Sequence, residues 1–180
     1  MALKATIYKA ELQIADMDRG YYQTHALTLA LHPSETEERL MVRLLAFALH
    51  AHEDLQFTKG LSTDDEADLW QKSLTGDIDL WIDVGLPDDK RLRKACNRSR
   101  RVVLYTYGAR GPATWWSQIK GKLTRFDNLT VVNLPKEATD GLTAMAARTM
   151  QLQCSIQDGQ AWISDKQRNI QVEPVCWMPT

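Results

Sequence analysis

The stretch Asp79-Leu80-Trp81-Ile82-Asp83-Val84-Gly85, followed by Leu86-Pro87-Asp88-Asp89 and a run of Lys and Arg, decides how the fold is read. Side chains of a strand alternate between faces, so Ile78, Leu80, Ile82 and Val84 share one side, while Asp79, Trp81, Asp83 and Gly85 share the other. The apolar side is expected to lie against helices. The acidic side is expected to face water or whatever chemistry the protein performs.

The segment before it, Asp68-Leu69-Trp70-Gln71-Lys72-Ser73-Leu74, reads as the partner of a hairpin turning at Thr75-Gly76-Asp77. A two-residue turn at Thr75-Gly76 sets Asp68 opposite Asp83, with Cβ atoms about 5 Å apart. A turn at Gly76-Asp77 sets Asp68 opposite Gly85 instead. Either register leaves Asp68 and Asp83 on one face. Carboxylates held that close repel, and a divalent cation is a good reason to hold them: Mg²⁺ takes hard oxygen ligands, typically one or two carboxylates plus substrate phosphate oxygens. The plainer alternative is that both acids sit in solvent or pair with nearby Lys and Arg. Asp79 stands about 13 Å along the strand from Asp83, too far to share one ion with it.

A helix is expected from Leu86 to about Arg98, with Pro87 in its first turn and two acids near the positive end of its dipole. From Lys90 to Arg101 the chain carries Lys90, Arg91, Arg93, Lys94, Arg98, Arg100 and Arg101 and no acid. That density suits a phosphate backbone, with Lys90, Arg91 and Arg98 as candidate contacts; a solvated helix face is the alternative. Leu92, Ala95 and Ser99 mark the packed side, which turns Lys94 to the polar side and leaves Arg91 on the flank.

Outward from this centre, the N-terminal residues alternate apolar and polar in two runs around DMDRG, as an antiparallel pair would. After Pro33, Leu40, Met41, Leu44, Leu45 and Ala48 recur at helical spacing. Ser34 with Glu37 forms an expected capping box at the start of that helix, which gives Glu37 a structural task and leaves Glu38 without one. A short strand is expected at LQFTKGL. RVVLYTYG, GPATWWSQIKGKL and NLTVVNL read as strand, helix and strand, a pattern that favours parallel pairing. KEATDGLTAMAARTM reads as a helix, and Asp158-Gly159 joins two final alternating runs as a hairpin.

With 180 residues, 44% of them hydrophobic, the chain suffices for one proper core, and a single domain over residues 1–180 is expected. A net charge of -1 excludes binding to nucleic acid or an anionic membrane through bulk charge, so any such contact must be local. Three widely separated cysteines suggest no disulfide framework, in keeping with a reducing cytoplasm. No stretch has the continuous apolar character of a leader or membrane span. His50 and His52 point in different directions around their helix and do not chelate one metal. The adjacent Trp115 and Trp116 are expected to pack rather than stack on bases.

The segments HPSETEERLMVRLLAFALHA, DDEADLW, DIDLWIDVGLPDDKRLRKAC, VVLYTYG and MQLQCSIQDGQAWISD together resemble the YaeQ family of small bacterial proteins over essentially the whole chain. The resemblance implies an α+β fold in which helices flank a mixed sheet, a variation on the PD-(D/E)XK restriction-endonuclease-like core with an added N-terminal β-hairpin. In that superfamily an acid on each of two adjacent strands, and a Lys two residues after the second, bind Mg²⁺ and activate water, often with a Glu from the first core helix. Carried onto this chain, Glu38 resembles the helix Glu, and Asp68 and Asp83 resemble the two metal-binding acids. Position 85, where the Lys belongs, is Gly, and Lys94 or Lys90 on the following helix is the candidate replacement. Two functions remain open on this reading. One is a cytoplasmic Mg²⁺-dependent phosphodiesterase acting on DNA or RNA. The other is a non-catalytic protein that keeps the fold and uses its acidic cleft and basic helix to bind protein or nucleic acid.

Overall fold

The computed structural model describes residues 4–58 and 65–178. The chain forms β1 (Thr6–Asp16), β2 (Tyr21–Leu31), α1 (Glu37–Leu49), β3 (Leu55–Phe57), β4 (Leu69–Lys72), β5 (Ile78–Val84) and α2 (Asp89–Arg98). It continues with β6 (Ser99–Thr106), α3 (Gly111–Leu123), β7 (Leu129–Asn133), α4 (Lys136–Ala144), β8 (Thr149–Gln157), β9 (Gln160–Ser164), β10 (Asn169–Val172) and β11 (Val175–Met178). This is a mixed α+β architecture with two sheets, divided into two compact units.

The first unit comprises residues 1–51 and 137–174. Its sheet has the order β10-β9-β8-β1-β2, antiparallel except for the parallel pairing of β1 with β8. The alternation of β1 places Tyr8, Ala10, Leu12 and Ile14 on a buried face and leaves Ile7, Lys9, Glu11 and Gln13 outside. Helix α1 packs on β1 and β2, and its residues are buried all the way round from Leu40 to Ala48, as befits a helix apolar on every side. Its one charged member there, Arg43, is 1% exposed and bound to Glu35, whose carboxylate also receives Arg39.

The N-terminus of α1 departs from the capping box expected at Ser34. Thr36 is the N-cap, accepting from the Arg39 N–H, and Ser34 bonds to the His32 ring instead. Glu35 is drawn into the buried arginine pair, and the helix starts two residues later than the capping signature suggested.

The second unit comprises residues 52–136 and 175–180. Its sheet runs β11-β7-β6-β5-β4-β3, with β5, β6 and β7 mutually parallel at the centre and antiparallel strands at both sides. The expected hairpin of β4 and β5, the β6-α3-β7 segment and the Asp158-Gly159 hairpin all form; β10 and β11 are additional. Trp81, Leu92, Ala95, Val102, Leu104 and Ile119 share one core, so α2 covers the face of β5 that bears Trp81. The face expected to meet water is therefore the one under the helix. The opposite face, with Leu80, Ile82 and Val84, is buried too, which is the usual condition of central parallel strands.

Candidate functional site

Pairing of Leu69 with Ile82, Trp70 with Trp81 and Gln71 with Leu80 continues one step to set Asp68 opposite Asp83. The Asp68 N–H donates to Asp83 Oδ1 at 3.2 Å, and the Val84 N–H donates to Asp68 Oδ2 at 2.8 Å. The two acids are 4% and 1% exposed, so the hairpin brings them together inside the unit rather than in an open cleft.

Gly85 ends the strand at φ +107°, a conformation that favours glycine, and its N–H donates to the Tyr105 carbonyl. The chain then enters α2 with Asp88 as N-cap, its Oδ1 accepting from the Arg91 N–H at 2.9 Å. The cap fixes the first turn of the helix, and with it the position from which the Arg91 side chain reaches back over β5. Arg91 Nε donates to Asp83 Oδ2 at 2.8 Å, and Nη2 donates to Asp83 Oδ1 at 3.1 Å. Nη2 also donates to the Glu66 carbonyl at 2.9 Å. This two-pronged arrangement matches the planar guanidinium fork to a carboxylate. The Trp81 ring lies beneath, with the Arg91 and Arg98 guanidinium carbons 5.8 and 5.4 Å from its centre.

Burial pushes the Asp83 carboxyl above its ordinary value; Arg91 opposes this through its hydrogen bond and charge, while the negative charge of Asp68 adds to it. Desolvation is the leading cause because the side chain is almost wholly out of water.

Lys94 does not reach Asp83. Its ammonium donates to Asp65 Oδ1 at the surface and holds that carboxyl below the ordinary value. Arg98 Nη1 donates to the Asp65 carbonyl at 2.6 Å. Arg91, Lys94 and Arg98, spaced along one flank of α2, thus tie down residues 65 and 66. The cation beside the acid pair is Arg91, and the helical phase explains it: Arg91 lies on the flank toward the sheet, while Lys94 lies farther toward solvent. Lys90 and Arg93 are exposed. Glu38 stands in the first turn of α1, in the first unit, half-buried.

The residues present do not fit the Mg²⁺ site that the acid pair suggested. Both Asp83 oxygens accept from Arg91, Asp68 Oδ2 accepts from a backbone N–H, and Gly85 brings no side chain. Among the described residues, no group of three or more His, Cys, Asp and Glu side chains is placed to hold a metal ion. His52 is half-buried and accepts from the Asp54 N–H. The adjacent tryptophans pack as expected: Trp115 Nε1 donates to the Pro87 carbonyl at 2.8 Å, and Trp116 stacks on Trp177.

The parts of the site that sequence reasoning overlooked are Asp65 and Glu66. Their contributions are two carbonyls and a surface carboxylate, which no residue pattern announces.

Fold and site together define a class: small α+β proteins with two mixed sheets, in which a cross-strand acid pair is covered by the helix that follows it. The chain belongs to the YaeQ family, whose model, described as YaeQ protein, matches residues 1–174. It is 49% identical over 177 residues to "Uncharacterized protein YaeQ" of Escherichia coli (strain K12), covering 98% of each chain. Among solved structures, the YaeQ protein from Xanthomonas axonopodis pv. citri superposes with a TM-score of 0.94 at 51% identity, over 98% of this chain and 99% of that one. The YaeQ protein from Pseudomonas syringae gives 0.93 at 35% identity, over 98% and 97%. Among the described residues no helix is long and apolar enough to cross a membrane.

Proposed function

We propose that this protein binds nucleic acid in the cytoplasm without cutting it, keeping a nuclease-like PD-(D/E)XK core whose acid pair serves structure. The observation that carries this reading is the seat of Arg91 on both oxygens of Asp83, inside the unit, where a catalytic metal would need those oxygens. The ion pair pins α2 to the sheet, and α2 in turn presents Lys90 and Arg93 to solvent, beside Lys94 and Arg98. Of the seven cations between residues 90 and 101, Arg91, Lys94 and Arg100 are ion-paired with Asp83, Asp65 and Asp79, and Lys90, Arg93, Arg98 and Arg101 supply the local charge that phosphate contacts need in a chain of net charge -1.

Fluorescence anisotropy with labelled duplex DNA, single-stranded DNA and duplex RNA over a range of salt tests the reading. Binding through three or four cations gives a log–log salt slope of about -2 to -4. Lys90→Glu/Arg93→Glu is expected to abolish it while leaving the fold unchanged. Salt-independent binding, or an unaffected variant, overturns the proposal. The Mg²⁺-dependent phosphodiesterase reading has its own arm: calorimetric titration of Mg²⁺ into the protein and into Asp83→Asn. Heat seen for the first and absent for the second would reinstate it.

A further inference from the structure

The outer face of the five-stranded sheet in the first unit has an unusual composition for a solvated surface. Charged residues make up 25% of the chain, yet the outward strand positions carry only Lys9 and Glu11, which offset each other. The remaining positions are amides, hydroxyls, small residues, two aromatics and Ile7.

Strand registers place these residues in rows across the sheet. One row reads Gln171, Trp162, Ser155, Ala15, Tyr22. Trp162 is half-buried and Tyr22 is 59% exposed, and the residues between them are small. Three strand spacings separate the aromatics, about 14 Å, with Ser155 and Ala15 between them. The next row reads Asn169, Ser164, Gln153, Gln13, Thr24. A shallow cavity of about 420 Å³ opens here, lined by Gln13, Ala15, Tyr22, Thr24, Gln153 and Ser155. Among the described residues, the side chains of Gln13, Gln153, Thr24 and Ser155 make no hydrogen bond within the chain. Among the described residues, the indole N–H of Trp162 likewise has no hydrogen-bond partner.

We infer that this face binds a neutral saccharide. A pyranose ring presents C–H groups on one face, which pack on an aromatic ring, and hydroxyls around its edge, each both donor and acceptor. Glutamine amides and hydroxyls along the cavity, with Tyr22 at its edge and the indole of Trp162 farther along the same row, match that chemistry. A nucleic acid would need cations along its backbone, and these two rows hold none. A second copy of the chain would find a surface of amides with few apolar atoms to bury. The inference is independent of nucleic-acid binding by α2, since it uses different residues and a ligand without charge.

The test is a titration of isotope-labelled protein with maltotetraose, cellotetraose and chitotetraose, followed by NMR. The resonances of interest are the side-chain amides of Gln13 and Gln153 and the indole N–H of Trp162. One of the three sugars is expected to shift these signals saturably, and Trp162→Ala to weaken binding at least tenfold. Gln13→Ala/Gln153→Ala, at exposed positions, reads the same loss if the tryptophan variant folds poorly. Absence of a shift with all three sugars at millimolar concentration overturns the inference. So does a shift that survives both variants, or displacement of the signals by oligo(dT) or by self-association instead.

Discussion

Replacing Arg91 by Ala leaves the Asp83 carboxylate, 1% exposed, without its cation. Truncating one partner of a buried pair costs about 3–5 kcal/mol, mostly because the remaining charge stays out of water. The Arg91 side chain is 23% exposed, so part of the interaction is already screened and the lower end applies, about 3 kcal/mol. For a chain of this size that lowers the melting temperature by about 6–12 °C.

The loss has a pH signature. Burial already raises Asp83 above its unfolded value, and without Arg91 it rises further. A folded state that binds the proton more tightly than the unfolded state loses stability as pH rises from the unfolded value through the folded one. The penalty of Arg91→Ala is therefore larger at pH 8 than at pH 5. Urea unfolding at both pH values, read by tryptophan fluorescence, measures it. The double variant Arg91→Leu/Asp83→Asn, which removes both charges, is expected to recover most of the loss. A penalty below about 1 kcal/mol at pH 8, or one independent of pH, refutes the structural role given to the pair.

Gly85→Lys installs the residue type that a PD-(D/E)XK motif carries, yet it forces a side chain to φ +107° and is expected to cost about 1–3 kcal/mol by urea unfolding. Since a Cβ at that position meets no atom within 4 Å, Gly85→Ala should cost the same, and neither variant should gain Mg²⁺-dependent cleavage of plasmid or RNA. Glu35→Gln weakens the carboxylate shared by Arg39 and the buried Arg43, and should destabilise by about 3 kcal/mol, far more than Glu37→Gln, whose carboxylate receives Tyr8. Burial pushes Cys96 up to about 11 and Cys154 up to about 12, while Cys176 is exposed. A thiolate-seeking reagent such as DTNB at pH 8 should titrate one thiol quickly in the native protein and all three in denaturant.

Much of this architecture was legible because it is local. Alternation in β1 and β2, the hairpin that keeps Asp68 and Asp83 on one face in either of its two registers, and the acidic entry to α2 are all encoded within short windows. The two faces of β5 were assigned to the wrong surroundings for a definite reason. Two acids outweighed Trp81 in the reading, although a tryptophan between them marks that side as covered. The expected parallel pairing was itself a sign that both faces would be buried. Arg91 was identifiable as a rival to Lys94 from helical phase, but the Glu66 carbonyl that also receives its guanidinium is encoded by no side-chain pattern. The pairing of β1 with β8 joins residues about 140 positions apart, beyond the reach of any periodicity. The same distance hid the outer-face row, whose members come from five strands.

That long-range pairing also sets an order of events during synthesis. The hairpin of β1 and β2 emerges early with one edge of β1 bare, and the strand that covers it, β8, is made only after residues 52–136 have left the ribosome. The second sheet waits as well, since β7 receives β11 from residues 175–178. Both sheets are thus closed by the last fifth of the chain. Until then the nascent protein carries two open β-edges, the feature that chaperones shield and that aggregation exploits.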